Sequence, residues 1–211
     1  MNRTRNIFLA SSNRDKVEEL RKILAPLGFE LTSASEIPDA PEVEEDQPDL
    51  KGNALKKARF WHQKTGLTSL ADDTGLEVDA LDGAPGVRSA RYAGEQAGYR
   101  DNLEKLLKVM VGVKDRSARF RTVIAMVGEL AGSPDESSEK GELIFEGVCE
   151  GFITDSPSGE KGFGYDPIFR PEGYEETFAK LDPEVKNRIS HRAKALEEVV
   201  RYLKQRQAGE K

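Results

Sequence analysis

The feature that most constrains this chain is its opening, where a short apolar run gives way at once to a helical period. Residues 6–10 (Asn-Ile-Phe-Leu-Ala) form a continuous apolar run bounded by Ser11-Ser12-Asn13, the pattern of a short buried strand. Val17, Leu20, Leu24 and Leu27 then recur at steps of three, four and three, which is one face of a helix. Ser12 or Asn13 would cap that helix and Gly28 would stop it. A strand, a tight turn and a helix at the start point to a layered α/β protein.

The alternation continues along the chain. A helix is expected over 50–64, with Leu50, Ala54, Ala58 and Trp61 on one face and Gly66 after its end. A strand over 67–71 should run into a turn at Asp72-Asp73-Thr74-Gly75, with a second short strand over 76–81. Residues 101–110 read as a helix and 119–127 as a central strand, apolar on both faces from Val123 onward. Residues 143–154 form a strand with Leu143, Phe145, Cys149 and Ile153 on one side and Glu146 and Glu150 on a wetter one. Between these strands, 131–141 reads as a polar hairpin loop. The last helix begins at Ser190, with Leu196, Val199, Val200 and Leu203 on its buried face. Strands and helices mixed throughout predict an α/β fold with a partly antiparallel sheet. No linker separates independent domains, so 1–211 is read as a single domain.

Composition sharpens this by exclusion. The chain has 211 residues, with 32 Lys and Arg against 38 Asp and Glu, a formal charge of −6. That balance excludes a generic binder of nucleic-acid polymers or of anionic membranes, which needs a net cationic field. No apolar run approaches the ~20 residues that span a bilayer. The basic start Met1-Asn2-Arg3-Thr4-Arg5 precedes an apolar stretch too short for a signal-peptide core. A cytoplasmic protein is expected. A single cysteine cannot form an internal disulfide, which suits a reducing compartment, and Cys149 reads as an inert core thiol.

Four constellations carry chemistry. Ser11-Ser12-Asn13-Arg14-Asp15-Lys16 lies between a strand and a helix, where backbone N–H groups and the helix dipole attract phosphate and Lys16 adds a cation. Capping alone also accounts for the segment, and it lacks the glycines of a Walker loop. Asp72-Asp73-Thr74-Gly75, with Glu44-Glu45 of the acidic stretch 36–49 as a partner, suits Mg²⁺ and an activated water; an ordinary Asx turn is the bland alternative. Gly162-Phe163-Gly164-Tyr165-Asp166-Pro167 interleaves glycines with aromatics, so Phe163 and Tyr165 offer a face for a nucleobase, or else serve as core aromatics of a glycine-bearing turn. Lys186 to Arg192 gathers basic groups into a helix start, where His191 and Arg192 oppose the dipole; a solvated basic face is the bland alternative. Phosphate donors, a hard-metal acid pair, an aromatic platform and a cationic reader together describe a nucleotide site.

At this point the chain resembles a known family, the inosine/xanthosine triphosphate pyrophosphatases, or Ham1-like house-cleaning enzymes. Ser11-Ser12-Asn13 with Lys16 and Glu19 resembles the family's opening Ser/Thr-x-Asn-x-x-Lys-x-x-Glu, and Asn53-Ala54 with Lys57-Ala58 its Asn-Ala-x-x-Lys-Ala helix. Ala71-Asp72-Asp73-Thr74-Gly75-Leu76, the blocks 83–87 and 89–92, Gly162 to Phe169 and Ser190-His191-Arg192 follow in order. The resemblance implies hydrolysis of dITP, ITP and XTP to the monophosphate and pyrophosphate, with Mg²⁺, by a homodimer. It implies an elongated α/β fold, a long mixed sheet flanked by helices, with two lobes and a central nucleotide-binding cleft. Carried over by position, Ser11, Ser12, Asn13, Arg14, Asp15 and Lys16 would hold the phosphates with help from Lys57. Asp73 would be general base and metal ligand, and Glu44 the second ligand, with Asp72 or Glu45 nearby. Thr74 would touch the nucleotide, Phe163, Gly164, Tyr165 and Asp166 would border the base, and Lys186, His191 and Arg192 would read its 6-oxo edge. Ser12 and Asp15 stand where the family often has glycine. Two rival readings are a Maf-like pyrophosphatase, against which Asn13 and Lys16 speak, and a nucleotide sensor without hydrolysis, which has no need of Asp73.

Overall fold

The computed structural model describes residues 5–11, 14–131 and 141–209. Among these, strands β1 (Arg5–Leu9), β2 (Phe29–Ser33), β3 (Thr68–Val78), β4 (Pro85–Gly86), β5 (Ser117–Val127), β6 (Glu142–Ile153) and β7 (Phe169–Pro171) form one mixed sheet. Its order is β2-β1-β3-β5-β6-β7, with β4 paired to β3 off that path. β1 runs parallel to both β2 and β3, whereas β3–β4 and β6–β7 are antiparallel. The helices are α1 (Arg14–Leu24), α2 (Leu50–Thr65), α3 (Tyr99–Val109), α4 (Pro183–Ile189) and α5 (His191–Gly209). The expected loop at 131–141 and the capping residues Ser12 and Asn13 lie largely or wholly outside the described residues. No helix among the described residues is long and apolar enough to cross a membrane.

The described chain divides into two compact units. The first comprises Met1–Asp73, Val123–Phe145 and Leu196–Lys211; the second comprises Thr74–Thr122 and Glu146–Ala195. In the first, Val17, Leu20 and Leu24 are buried as the period of α1 requires, and α1 gives way to a 3-10 turn (Ala25–Leu27) before Gly28. Asp49 caps α2 by accepting the Gly52 N–H at 2.7 Å, and Gly66 closes it in the left-handed conformation. Ala54 and Ala58 are fully buried, while Trp61 stacks on Phe8 of β1 with ring centroids 4.6 Å apart. Cys149 belongs to the second unit's core, with Leu76, Leu106, Met110, Phe120, Ile168, Phe169 and Phe178. On β6, Gly147, Cys149, Gly151 and Ile153 are buried, and Glu146 and Glu150 are exposed and paired with Arg121 and Arg119 of β5.

One sequence expectation is corrected, and two elements are added to it. Residues 67–81 do not form two strands about a turn: β3 runs unbroken from Thr68 to Val78. The turn chemistry of Asp72-Asp73-Thr74-Gly75 is overridden because each polar side chain finds a partner beside the strand. β2 was not anticipated, although Phe29, Leu31 and Ser33 are buried in strict alternation with exposed Glu30 and Thr32. The basic segment before Ser190 is itself a helix, α4, announced by the cap Asp182 and by Pro183 in the first turn.

Burial pushes the Cys149 thiol up to about 11, with Lys194 only partly offsetting this. Native protein at about pH 8 should therefore resist thiol reagents and label fully only after unfolding. Labelling of the native protein at the unfolded rate would contradict a core thiol.

Candidate active site

The site in the first unit follows from the period of a strand. Successive residues of β3 point to opposite sides of the sheet, so Asp72 and Asp73 leave it in opposite directions. Asp72 accepts a hydrogen bond from Lys16 Nζ of α1 at 2.7 Å, while Asp73 accepts one from Asn53 Nδ2 of α2 at 3.1 Å. The two helices therefore lie on opposite faces, each supplying one carboxylate's partner. Strand order reverses at β1, which connects to β2 on one side and pairs with β3 on the other. β1 ends at Leu9, opposite Leu70, so residues 71 onward of β3 run past its end. Such a switch point, beyond the carboxyl end of a parallel strand, is where open α/β sheets bind ligands.

Helix α2 completes the cluster. Asn53 and Lys57 are one turn apart on one face. Lys57 Nζ donates to the Asp72 carbonyl at 2.7 Å and to Glu45 Oε1 at 2.6 Å, and lies 3.8 Å from Asp73 Oδ1. Burial pulls the Lys57 ammonium down, but Asp73, Glu45 and Asp72 outweigh it and hold its pKa above the ordinary lysine value. Asp73 is only 8% exposed. The acidic loop is laced to α2 as well: Lys56 pairs with Asp46 at 2.7 Å, and the Gln47 N–H donates to Asn53 Oδ1 at 3.0 Å. It is Glu45 that turns toward Lys57; Glu44 is exposed.

A second cluster lies in the other unit. Asp166, buried, accepts hydrogen bonds from the Phe163 N–H at 2.8 Å and from Lys186 Nζ at 2.6 Å. Gly162 sits at φ +77°, and a Cβ there would lie 2.1 Å from Asp166 Oδ2, so only glycine allows this closure. Phe163 is left 50% exposed, with Lys186 Nζ and the Arg192 guanidinium 5.6 and 6.0 Å from its ring centroid. Tyr99, 62% exposed, places its ring 5.9 Å from the same ring. His191 is held from behind: the start of α5 lies so close to β6 that a Cβ on Gly147 would sit 2.0 Å from the His191 carbonyl. The imidazole stacks on Phe120 at 4.7 Å and is 6% exposed.

The sequence-derived residues thus fall into distinct places. In the first unit Lys57 comes to Asp73 and Glu45, while Lys16 comes to Asp72 on the other face; Phe163, Asp166, Lys186 and Arg192 come together in the second. Ser11 follows β1 directly, with its N–H bonded to the Leu9 carbonyl at 2.8 Å. Ser12 and Asn13 lie outside the described residues, and Arg14 and Asp15 are described only as the first residues of α1. Thr74 shares a 2.7 Å hydroxyl hydrogen bond with buried Thr122. Gly164 takes a positive φ of 62°. Tyr165 is a core residue, 4% exposed, with its hydroxyl donating to the Ser89 carbonyl at 2.9 Å. Burial raises its pKa, with Tyr92 adding to the effect. Asn53 and Tyr99 were not singled out as site residues from sequence. Asn53 stood in a family block without a role, and Tyr99 carries no signal until Phe163 is placed beside it.

The donor set fits a hard divalent cation. Asp73 and Glu45, both beside Lys57, offer carboxylate oxygens, and Mg²⁺ needs only one or two of these when phosphate oxygens and water fill its remaining positions. Among the described residues, no group of three or more His, Cys, Asp or Glu is assembled as a metal cage. A site of that kind would share its metal with a phosphate-bearing substrate.

An α/β protein with carboxylates and lysines gathered where its strand order reverses is the class that these observations define. The Ham1 family model matches residues 7–202, and the chain belongs to that family. It is 43% identical to a dITP/XTP pyrophosphatase of Flavobacterium johnsoniae, over 93% of this chain and 97% of that one. It is 47% identical to a dITP/XTP pyrophosphatase of Desulforamulus reducens, over 93% and 94% of the two chains. Among solved structures, the Staphylococcus aureus Ham1 protein superposes with a TM-score of 0.86 at 37% identity, covering 98% of this chain and all of that one. A HAM1 protein from Coxiella burnetii gives 0.87 at 40% identity, over 96% and 100%. The mixed α/β fold is therefore that of Ham1 structures.

Replacing Tyr165 by Phe separates a core role from a base-stacking one. Loss of its hydrogen bond should cost about 1 kcal/mol of unfolding free energy and leave KM for nucleotide unchanged. A raised KM with unchanged stability would contradict the core placement.

Proposed function

We propose that this chain hydrolyses the non-canonical purine triphosphates dITP, ITP and XTP to the monophosphate and pyrophosphate, removing them from the nucleotide pool. The observation that carries the reading is the match, over nearly the whole of both chains, to relatives named dITP/XTP pyrophosphatase. The polyphosphate is assigned to the first unit's cluster. Lys16 and Lys57 attract its charge, aided by the segment from Ser11 to the start of α1, and Asp73 accepts the proton of the attacking water. The water oxygen bonds to phosphorus as the bridge between the α- and β-phosphates breaks, and pyrophosphate leaves with that bridging electron pair. Mg²⁺, held by Asp73 with Glu45 or Glu44, would supply positive charge that offsets the charge developing on the phosphate oxygens.

The base is assigned to the second cluster. Phe163 offers it a ring face, and Lys186 and Arg192 present only hydrogen-bond donors; His191 is buried against Phe120 and Phe178. Donors reward the 6-oxo group of hypoxanthine and xanthine, whereas adenine's 6-amino group would set donor against donor. Homodimerisation and a cytoplasmic location belong to the same proposal, and the charge balance and the absence of a spanning helix among the described residues agree with a protein that works on small molecules.

Replacement of Asp73 by Asn should lower kcat for dITP by about 10²–10⁴-fold while circular dichroism stays unchanged. Substantial residual turnover would remove Asp73 from the base role. Chelation of divalent metal should abolish wild-type turnover, and Mg²⁺ should restore it; metal-independent turnover would refute the metal assignment. Light scattering should give a dimer, and a monomer would contradict the assembly.

A further inference from the structure

Asn53 is fully buried and uses both ends of its amide. Its Nδ2 donates to Asp73 Oδ2 at 3.1 Å, and its Oδ1 accepts the Gln47 N–H at 3.0 Å. One side chain thereby joins β3 to the loop that carries Glu44 and Glu45. No other residue type of that size offers both a donor and an acceptor from one rigid plane. The loop is pressed close at this point, since a Cβ on Gly52 would lie 2.7 Å from the Gln47 Cβ. It is fastened on either side by the Lys57–Glu45, Lys56–Asp46 and Asp49–Gly52 contacts. The loop cannot move at Gln47 without disturbing the amide that holds Asp73.

We infer that Asn53 is a positioning residue of the hydrolytic site: it sets the rotamer of the Asp73 carboxylate and ties that setting to the acidic loop. The bond from Nδ2 occupies Oδ2 and leaves Oδ1 on the side of the Lys57 ammonium, 3.8 Å away. That bond restrains the carboxylate about its terminal torsion, which is broad for Asp. Asn53 touches neither substrate nor water in this scheme, and its effect passes entirely through Asp73. The inference rests on the reading of Asp73 as the water-activating carboxylate, and the test separates the two.

The test compares four full-length variants with the parent protein: Asn53→Ala, Asn53→Asp, Asp73→Asn and the exchanged pair Asn53→Asp with Asp73→Asn. Turnover of dITP is measured in each with Mg²⁺ present, alongside thermal unfolding. Asn53→Ala and Asn53→Asp should lower kcat about 10–100-fold, the usual cost of removing a partner that orients a ligating carboxylate, with KM little changed. The exchanged pair restores a donor facing an acceptor with the roles reversed. It should recover the Tm lost in Asn53→Asp, yet stay as inactive as Asp73→Asn. Asn53→Ala or Asn53→Asp turning over at the parent rate, with Asp73→Asn inactive, would overturn the positioning role alone. An active Asp73→Asn would instead sink the underlying reading of Asp73. If the single Asn53 variants fail to fold, the exchanged pair decides: no recovery of Tm would show that the two side chains do not depend on one another.

Discussion

The structure of the site depends on the two-residue period of a β-strand. Asp72 and Asp73 are adjacent in sequence, and as neighbours in a turn they would share one patch of solvent and repel each other. Inside β3 they are sent to opposite faces, and each meets a cation or amide from a different helix. The crossover order β2-β1-β3 supplies those helices, since parallel neighbours require connections that cover the sheet. To these acids α1 brings Lys16, and α2 brings Asn53 and Lys57. Under the proposed function those same ammonium groups would meet the polyphosphate. They also offset the carboxylates and keep the buried charges tolerable.

The second unit solves a different problem, that of leaving an aromatic ring half in water. Phe163 stays out of the core because Asp166, itself buried, accepts its backbone N–H and takes the Lys186 ammonium on the same oxygen. That fixes a turn with φ positive at Gly162 and places cations over the ring. The adjoining aromatic, Tyr165, goes inward and fills the core instead. An exposed ring beside fixed cations suits a flat, carbonyl-bearing ligand better than it suits folding.

Much of this was legible in the sequence where local pattern decided the outcome. Helices α1, α2 and α3 followed from apolar spacing, and β5 and β6 from apolar runs and alternation. What misled was chemistry whose partner lies far along the chain. Asp-Asp-Thr-Gly looks like a turn until Lys16, Asn53, Lys57 and Thr122 are brought beside it. Phe163 and Tyr165 are equivalent in the motif, and only the packing of Phe120, Phe169 and Ser89 tells the platform from the core. Glu44 and Glu45 are likewise indistinguishable until the loop is laced to α2 and Glu45 turns toward Lys57. Asn53 was visible as part of a motif, but its role appears only when both ends of its amide have partners. The family blocks were therefore readable in order, while the division of labour inside each block required the fold.

The central claim, that this chain releases pyrophosphate from 6-oxo purine triphosphates, is tested most directly with a panel of triphosphates in the presence of Mg²⁺. Release is expected from ITP, dITP and XTP, with far slower release from ATP and little from UTP and dTTP. Equal turnover of ATP or of the pyrimidine triphosphates would contradict the base assignment, and binding of ITP without any pyrophosphate release would contradict the enzyme itself.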